Sequence, residues 1–264
     1  GNAVGYGVLA FGTSLRTISG LPTDAEIELS ITPTNLQRFF MNNISDRFRL
    51  QSVNSWGKTY WLSMSRMFYG CTKLYYLPNQ LPNLAGVTDM SYMFAWCSNY
   101  YISNSDKLNL WDVGNVTDMS NMFSSAQNFN TDLSNWNTSS VTNMSNMFAE
   151  ATAFNRIIEN WNTTNVTNMS RLFLNASSFN QNLNSWNTAN VNDMNLMFAD
   201  ASSFNQPLNN WNTSNVTNMA FMFYDAFTFN QDIGNWNTEE VIDMSNMFYN
   251  ASAFNQNITN WDTQ

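Results

Sequence analysis

The sequence contains no histidine, and this absence removes several kinds of chemistry. Its 264 residues also include only two cysteines, three lysines and five prolines. A Ser-His-Asp triad, a Cys-His pair and a zinc site with histidine ligands all need an imidazole, so none of them can form. With so few lysines and a net charge of −9, the chain also lacks the cationic surface typical of nucleic-acid-binding proteins. No apolar run approaches the roughly 18 residues of a membrane span, so we expect no membrane insertion.

The few cations are confined to the first two thirds of the chain. No lysine or arginine follows Arg171, whereas eight Asp and Glu residues lie between 172 and 264. Residues 1–171 carry ten cations and eleven acids, a net charge of −1, so −8 of the total −9 lies in residues 172–264. No Asp-x-Asp-x-Asp-Gly loop occurs there, and we therefore expect no cofactor. Ca²⁺ or a basic protein is the alternative partner for these acids.

What is abundant is a small set of residue types: 45 Asn, 20 Phe, 16 Met and 10 Trp. They recur with a fixed period, which is the signature of a repeat protein. Tryptophan returns every 25 residues, at Trp111, Trp136, Trp161, Trp186, Trp211, Trp236 and Trp261. Because one unit cannot bury its own aromatic residues, we expect stacked units in which equivalent side chains form columns through a shared core.

Regularity divides the chain into three parts. Residues 1–35 show no repeat and are expected to form an N-terminal cap or an assembly segment. Residues 36–110 contain irregular repeats, among them the block Met64-Ser65-Arg66-Met67-Phe68, and residues 111–264 contain the regular repeats. The last unit stops at Gln264, before its Val and Met-Phe block. Solenoids need atypical ends, because the outer face of a terminal repeat is apolar.

Each unit combines two patterns. Met119, Met122, Phe123 and Ala126 follow the i, i+3, i+4, i+7 spacing that favours a short helix, and Asp118 before them is typical of a helix N-cap. The segment 129–136 that follows has apolar residues at intervals of four and three, which indicates an extended or irregular path rather than a regular strand. The unit is therefore expected to hold one short helix and one extended segment.

An asparagine follows the second Phe of every regular unit, and it has two interpretations. The positions are Asn130, Asn155, Asn180, Asn205, Asn230 and Asn255. In the first interpretation the side chains hydrogen-bond the backbone of the next unit and form a ladder. In the second they form an exposed polar row that binds carbohydrate, and the sequence does not separate the two.

The block Met64-Ser65-Arg66-Met67-Phe68, continued by Tyr-Gly-Cys-Thr-Lys-Leu, resembles the BspA-like, Treponema-type leucine-rich repeats. The later units, such as Val-Thr-Asn-Met-Ser-Asn-Met-Phe at 141–148, resemble a related 25-residue repeat of surface proteins. The resemblance implies an α/β repeat solenoid, a leucine-rich-repeat-like right-handed coil with short helices, short strands or extended segments and an N-terminal cap. It also implies an extracellular or cell-surface location and no catalytic residues. Leu172 departs from the pattern, because it replaces the second Met of its block.

Aromatic residues outside the columns are the candidates for partner binding. Tyr75, Tyr76, Trp96, Tyr100 and Tyr101 lie in the irregular repeats. Tyr and Trp are enriched in binding hot spots, but these residues are equally suited to covering longer, irregular units. The two cysteines also leave alternatives open, since Cys71 and Cys97 share a column that later holds Ala. They are either small buried residues or a disulfide between neighbouring units.

Two functions compete on these grounds. The first is a non-enzymatic extracellular adhesion or recognition module that binds a protein or a glycan on a cell surface through one face of the solenoid. The second is a structural subunit of an extracellular filament, sheath or fibre, in which the chain binds itself end to end. The first is favoured because the resemblance points to surface proteins.

Overall fold

A computed structural model describes residues 37–40, 46–58, 60–98 and 105–263. The predicted cap at 1–35, together with Tyr100 and Tyr101, lies outside the described residues. Within these ranges the structure has two 3-10 helices, at Asp46–Phe48 and Ser105–Leu110. Elsewhere in the described ranges the chain consists of turns, extended segments and single bridges, and it has no helix long and apolar enough to cross a membrane.

The repeats stack in parallel, one unit directly on the next. Equivalent residues pair through parallel bridges, as in Asp118 with Asn143 and Asn143 with Asn168. The same bridge joins every neighbouring pair of regular units as far as Asn218 and Asp243. The first irregular units pair in the same sense, through Ser52 and Tyr76. One 25-residue unit is therefore one coil of a continuous stack.

The helix predicted over the Met-Phe block is absent, and that prediction is wrong. Residues 119–126 instead form three overlapping turns, closed by hydrogen bonds from Met122 N–H to Met119 O, Ser124 N–H to Asn121 O and Ala126 N–H to Phe123 O. The third residue of the first and last turn has a positive φ, 59° at Asn121 and 56° at Ser125. A positive φ is incompatible with a right-handed helix, whereas a type II turn requires a positive φ at its third residue.

Stacking explains why turns replace the helix. The intervening N–H groups point to the next coil: Met119 donates to Asn143 O, Asn121 to Ser145 O and Phe123 to Met147 O, at 2.9–3.0 Å. In a helix these groups would bond four residues back along the same chain. A helix of two turns is marginal by itself in water. Intercoil bonds therefore satisfy the backbone while keeping the apolar side chains on one face.

The residue expected to cap the helix keeps its acceptor role although no helix follows. Asp118 Oδ1 accepts from Ser120 N–H at 2.8 Å, and Asn143 Oδ1 accepts from Ser145 N–H at 3.0 Å. The same bond recurs at Asn168, Asp193, Asn218 and Asp243. These side chains fix the entry into the turn block by mimicking a backbone turn.

The core consists of columns of aromatic rings that run along the stack. The ring centre of Phe148 lies 3.9 Å from that of Phe154 within its own coil and 5.8 Å from that of Phe173 in the next, with nearly parallel rings. Trp161 stacks on Trp186 at 6.4 Å, and the tryptophans of the regular column are 2–3% exposed from Trp136 to Trp236. In the last described coil the same columns are only partly buried.

Polar side chains form ladders along the same direction. Asn155 Oδ1 accepts from the backbone N–H of Asn180 and from the Gln181 side chain, at 3.0 and 2.7 Å. The bond to the following backbone N–H repeats from Asn130 to Asn255. The amide oxygens of this column thus accept hydrogen bonds from the next coil, which is the geometry of the ladder interpretation, while the side chains are half-buried or exposed.

Candidate binding surfaces

The predicted aromatic residues are unequally exposed. Trp96 is 54% exposed and Tyr75 is 52% exposed, whereas Tyr76 is half-buried. Trp96 and Tyr75 occupy different columns, and no ring contact joins them to each other within the described ranges. Tyr100 and Tyr101 lie outside those ranges, so the structure does not place them beside the other three.

The backbone at Trp96 is strained for so large a residue. Its φ is 64°, in the left-handed region that favours glycine and asparagine. The column that contains Trp96 also holds Gly70, Ser125 and Glu150, followed by Asn175, Asp200, Asp225 and Asn250, and each of these has a positive φ. A tryptophan in this conformation costs on the order of 1 kcal/mol, and its side chain is more than half exposed. The position therefore combines backbone strain with a large aromatic surface that faces solvent.

Tyr75 stands where the regular coils have their ladder asparagine. Tyr75 is the fourth residue after Cys71, as Asn130 is the fourth residue after Ala126 in the equivalent position. Its backbone N–H donates to Gln51 O at 2.8 Å, so the main chain is still anchored. The phenol thus replaces an amide of the ladder and presents an aromatic surface to solvent.

In the first coils, arginines cover the outer aromatic side chains. The guanidinium carbon of Arg47 lies 5.4 Å from the ring centre of Tyr69, and that of Arg66 lies 5.0 Å from the ring centre of Tyr92. Arg47 also fills the space beside Gly70, where a Cβ would lie 2.6 Å from its Cδ. Tyr69 and Gly70 therefore form a seat for one guanidinium group.

The equivalent surface of the regular coils carries a second group, which sequence reasoning missed. We call Asp200, Phe221, Tyr224, Asp225 and Tyr249 the aromatic–acidic patch. Tyr224 stacks on Tyr249 at 4.9 Å, and Phe221 contacts Tyr224 at 5.7 Å. The backbone N–H of Asp200 donates to Tyr224 O, and that of Asp225 donates to Tyr249 O, at 2.8 and 2.9 Å. The signal in the sequence was two tyrosines in a column that otherwise holds Ala, Ser or Leu in the regular coils.

The two carboxylates of the patch, Asp200 and Asp225, repel each other. Burial raises the pKa of Asp200, and the Asp225 carboxylate raises it further. Desolvation also raises the pKa of Tyr224, with smaller contributions from Asp225, Tyr249 and Asp200. Asp225 Oδ1 accepts one bond from the Asn250 amide at 2.7 Å. The patch is therefore aromatic, negative and without a cation from its own C-terminal third.

The two cysteines are free thiols buried in the core. The Cys97 S–H donates to Phe68 O at 3.1 Å, and the backbone N–H of Cys71 donates to the same carbonyl at 3.0 Å. Burial raises the pKa of Cys71 to about 12 despite the opposing charge of Arg47. Burial and the neighbouring Cys71 raise the pKa of Cys97 well above its usual range. Of the two alternatives, the structure has the small buried side chains and no disulfide.

Possible metal ligands do not converge in the part of the chain that the structure describes. Across 37–40, 46–58, 60–98 and 105–263, no three Asp, Glu or Cys side chains come together. Asp200 and Asp225 form a pair only. The Ca²⁺ alternative raised by the C-terminal charge stays a prediction, and calcium titration by calorimetry tests it.

Known protein families provide the remaining comparison. The family described as "Mycoplasma protein of unknown function, DUF285" matches residues 34–106, 88–206 and 183–264. The three matches overlap and together span the irregular and the regular repeats. No curated protein matches the chain. The chain is thus a repeat protein, and it belongs to the family described as Mycoplasma protein of unknown function, DUF285.

Proposed function

We propose that the chain is a non-enzymatic adhesion or recognition module of an extracellular surface protein, a leucine-rich-repeat-like solenoid that binds a protein or a glycan on a cell surface. The binding surface includes Trp96 and Tyr75. The observation that carries the proposal is Trp96, whose φ of 64° and 54% exposure place a large aromatic side chain on the surface at a strained backbone position. Backbone strain of this kind clusters at functional positions.

The other residues of the same column support this assignment. Asn175 and Asn250 adopt a positive φ at low cost, because their short polar side chains tolerate the left-handed region. The other described residues of this column are glycine or polar, so the tryptophan is the exception. Tryptophan instead provides a large, rigid contact surface, which makes it one of the most frequent hot-spot residues in interfaces.

Two variants test the proposal with substitutions that the chain already contains at equivalent positions. Trp96→Asn introduces the residue of Asn175, and Tyr75→Asn introduces the residue of Asn130. Labelled wild-type and variant proteins are titrated onto cultured epithelial cells, and bound protein is measured by flow cytometry. We expect Trp96→Asn to reduce cell binding at least about tenfold and Tyr75→Asn to reduce it less. Circular dichroism and thermal unfolding check that both variants fold.

The matched control removes an exposed aromatic residue elsewhere. Phe227 is 45% exposed and aligns with Ser177 and Ser202, so Phe227→Ser is compatible with the stack. Cell binding should be unchanged in this variant. The proposal is wrong if the wild type does not bind cells, or if Trp96→Asn and Phe227→Ser bind equally well. The alternative, a filament subunit, stays a prediction that light scattering of the isolated chain tests.

A further inference from the structure

The aromatic–acidic patch repeats a surface that, in the first coils, is occupied by arginine. Tyr69 aligns with Tyr224 and Tyr249, and Gly70 aligns with Asp200 and Asp225. Arg47 lies over Tyr69 and against Gly70. At the regular coils the aromatic rings remain, and two carboxylates take the place of glycine.

We propose that the aromatic–acidic patch is a binding site for an arginine side chain of a partner protein. A guanidinium group stacks on aromatic rings and donates two parallel hydrogen bonds to carboxylates, and the patch offers both kinds of acceptor side by side. Arg47 over Tyr69 shows that a ring in this column can contact a guanidinium group, with 5.4 Å between the guanidinium carbon and the ring centre.

The negative charge of the patch favours a cationic partner, and the C-terminal repeats contain no cation that could fill this role. Residues 172–264 contain eight acids and no lysine or arginine. The raised pKa of Asp200 has burial and Asp225 as its causes, so no neighbouring cation offsets the repulsion. An arginine that bridges Asp200 and Asp225 would relieve this repulsion while it covers Tyr224.

A neutral sugar fits the patch less well. Sugar hydroxyl groups can donate hydrogen bonds to carboxylates, but a neutral ligand leaves the charges of Asp200 and Asp225 uncompensated, whereas a guanidinium group offsets them. Arginine is preferred over lysine because its planar group can engage a ring and a carboxylate together.

The test uses a peptide with two arginines separated by glycine and its citrulline analogue, which is isosteric but uncharged. Each peptide is immobilised, and the full chain is titrated over it in a biosensor at about 0.15 M salt. The arginine peptide should bind at least about tenfold more tightly than the citrulline peptide. Asp200→Asn combined with Asp225→Asn should weaken binding of the arginine peptide at least about tenfold, and Tyr224→Ala about threefold or more.

These variants are chosen so that folding is not in question. Asn occurs at Asn175 and Asn250 of the Asp225 column, and Ala occurs at Ala149 and Ala199 of the Tyr224 column. Asp232→Asn is the matched control, because it removes the same charge outside the patch and Asn182 holds the equivalent position. It should change affinity less than about twofold. Circular dichroism and thermal unfolding check that each variant folds.

Three results would overturn the proposal. The first is no binding of the arginine peptide by the wild type. The second is an equal loss in Asp232→Asn and in the double variant, which would indicate an effect of net charge alone. The third is a neutral oligosaccharide that binds the wild type and the double variant equally well and competes with the peptide. The site is independent of the proposed function, so Trp96→Asn should bind the arginine peptide like the wild type.

Discussion

The regular and the irregular repeats are built on the same columns but differ in how completely they satisfy their polar groups. From Trp136 to Trp261 each indole N–H of the column donates to a carbonyl of the preceding coil, as in Trp161 to Leu133 O and Trp186 to Ile158 O. The indole N–H groups of Trp56 and Trp61 are buried without a hydrogen-bond partner. The constant period therefore does more than align apolar rings, since it also brings each donor to its acceptor.

Where the period changes, side chains from outside the columns compensate. Arg47 fills the space beside Gly70 and covers Tyr69. Trp96 adopts a strained backbone and remains exposed. The irregular coils thus lose stabilising contacts and gain surface features that the regular coils lack. We therefore expect stability to be concentrated in 111–263 and recognition at the irregular coils and at the aromatic–acidic patch.

The largest expected effect comes from breaking a regular column. Trp186 is 2% exposed, stacks on Trp161 and donates to Ile158 O. Trp186→Ala should lower the free energy of unfolding by roughly 3–5 kcal/mol, because it leaves a cavity and removes the indole bond to Ile158 O, which then accepts only from Trp161 N–H. Urea denaturation followed by circular dichroism measures this change. An unchanged midpoint would show that the column does not carry the stability of the stack.

A smaller effect is expected from breaking the asparagine ladder. Asn180 Oδ1 accepts from Asn205 N–H and from the Gln206 side chain, both at 3.0 Å. Asn180→Ala should cost about 1–2 kcal/mol, because the backbone donor of Asn205 loses its partner. Gln206→Ala removes only the side-chain donor and should cost less. Equal denaturation midpoints for the two variants would contradict this ranking.

The smallest effect concerns pH and the acidic coils. The folded-state pKa of Asp200 is raised, so the native state holds its proton more tightly than the unfolded chain does. The stability of the fold therefore falls as pH rises from the ordinary carboxyl range through the raised pKa. Asp200→Asn should stabilise the protein at pH 7 by less than about 1 kcal/mol, and the gain should disappear at lower pH.

Thermal unfolding of the wild type and of Asp200→Asn at several pH values measures this difference. Asp232→Asn is again the control. The Asp232 side chain accepts a hydrogen bond from Gly234 N–H in a local turn, and an Asn side chain can accept the same bond. A gain that is the same at every pH would contradict an origin in the titration of Asp200.

Sequence reasoning found the positions that matter to the core but not the local backbone conformation. The period identified the Trp, Phe and Asn columns, because residues at equal intervals take equivalent places in successive coils. The spacing of Met119, Met122, Phe123 and Ala126 pointed to a helix, but overlapping turns place the same residues on one face. Positive φ values at Leu196 and Phe221, 56° and 58°, could not be anticipated from residues that disfavour them.

The candidate surfaces were only partly visible in the sequence. Trp96 and Tyr75 were singled out as aromatic residues outside the columns, and both are exposed. The aromatic–acidic patch was missed although Tyr224 and Tyr249 are one period apart, because the sequence does not show how far their column is exposed or that Phe221 contacts Tyr224. The strain at Trp96 was also invisible, since it depends on the turn geometry of the block.

The sequence by itself determined the repeat, its length, the residues of its columns and the separation of charge between the two ends. These features follow from composition and period, which do not depend on the backbone path. The tertiary structure alone decided that the Met-Phe block forms turns, because half of its N–H groups find acceptors in the next coil rather than in their own. It also decided which tyrosines, carboxylates and arginines meet, since contacts between coils join residues that are far apart along the chain.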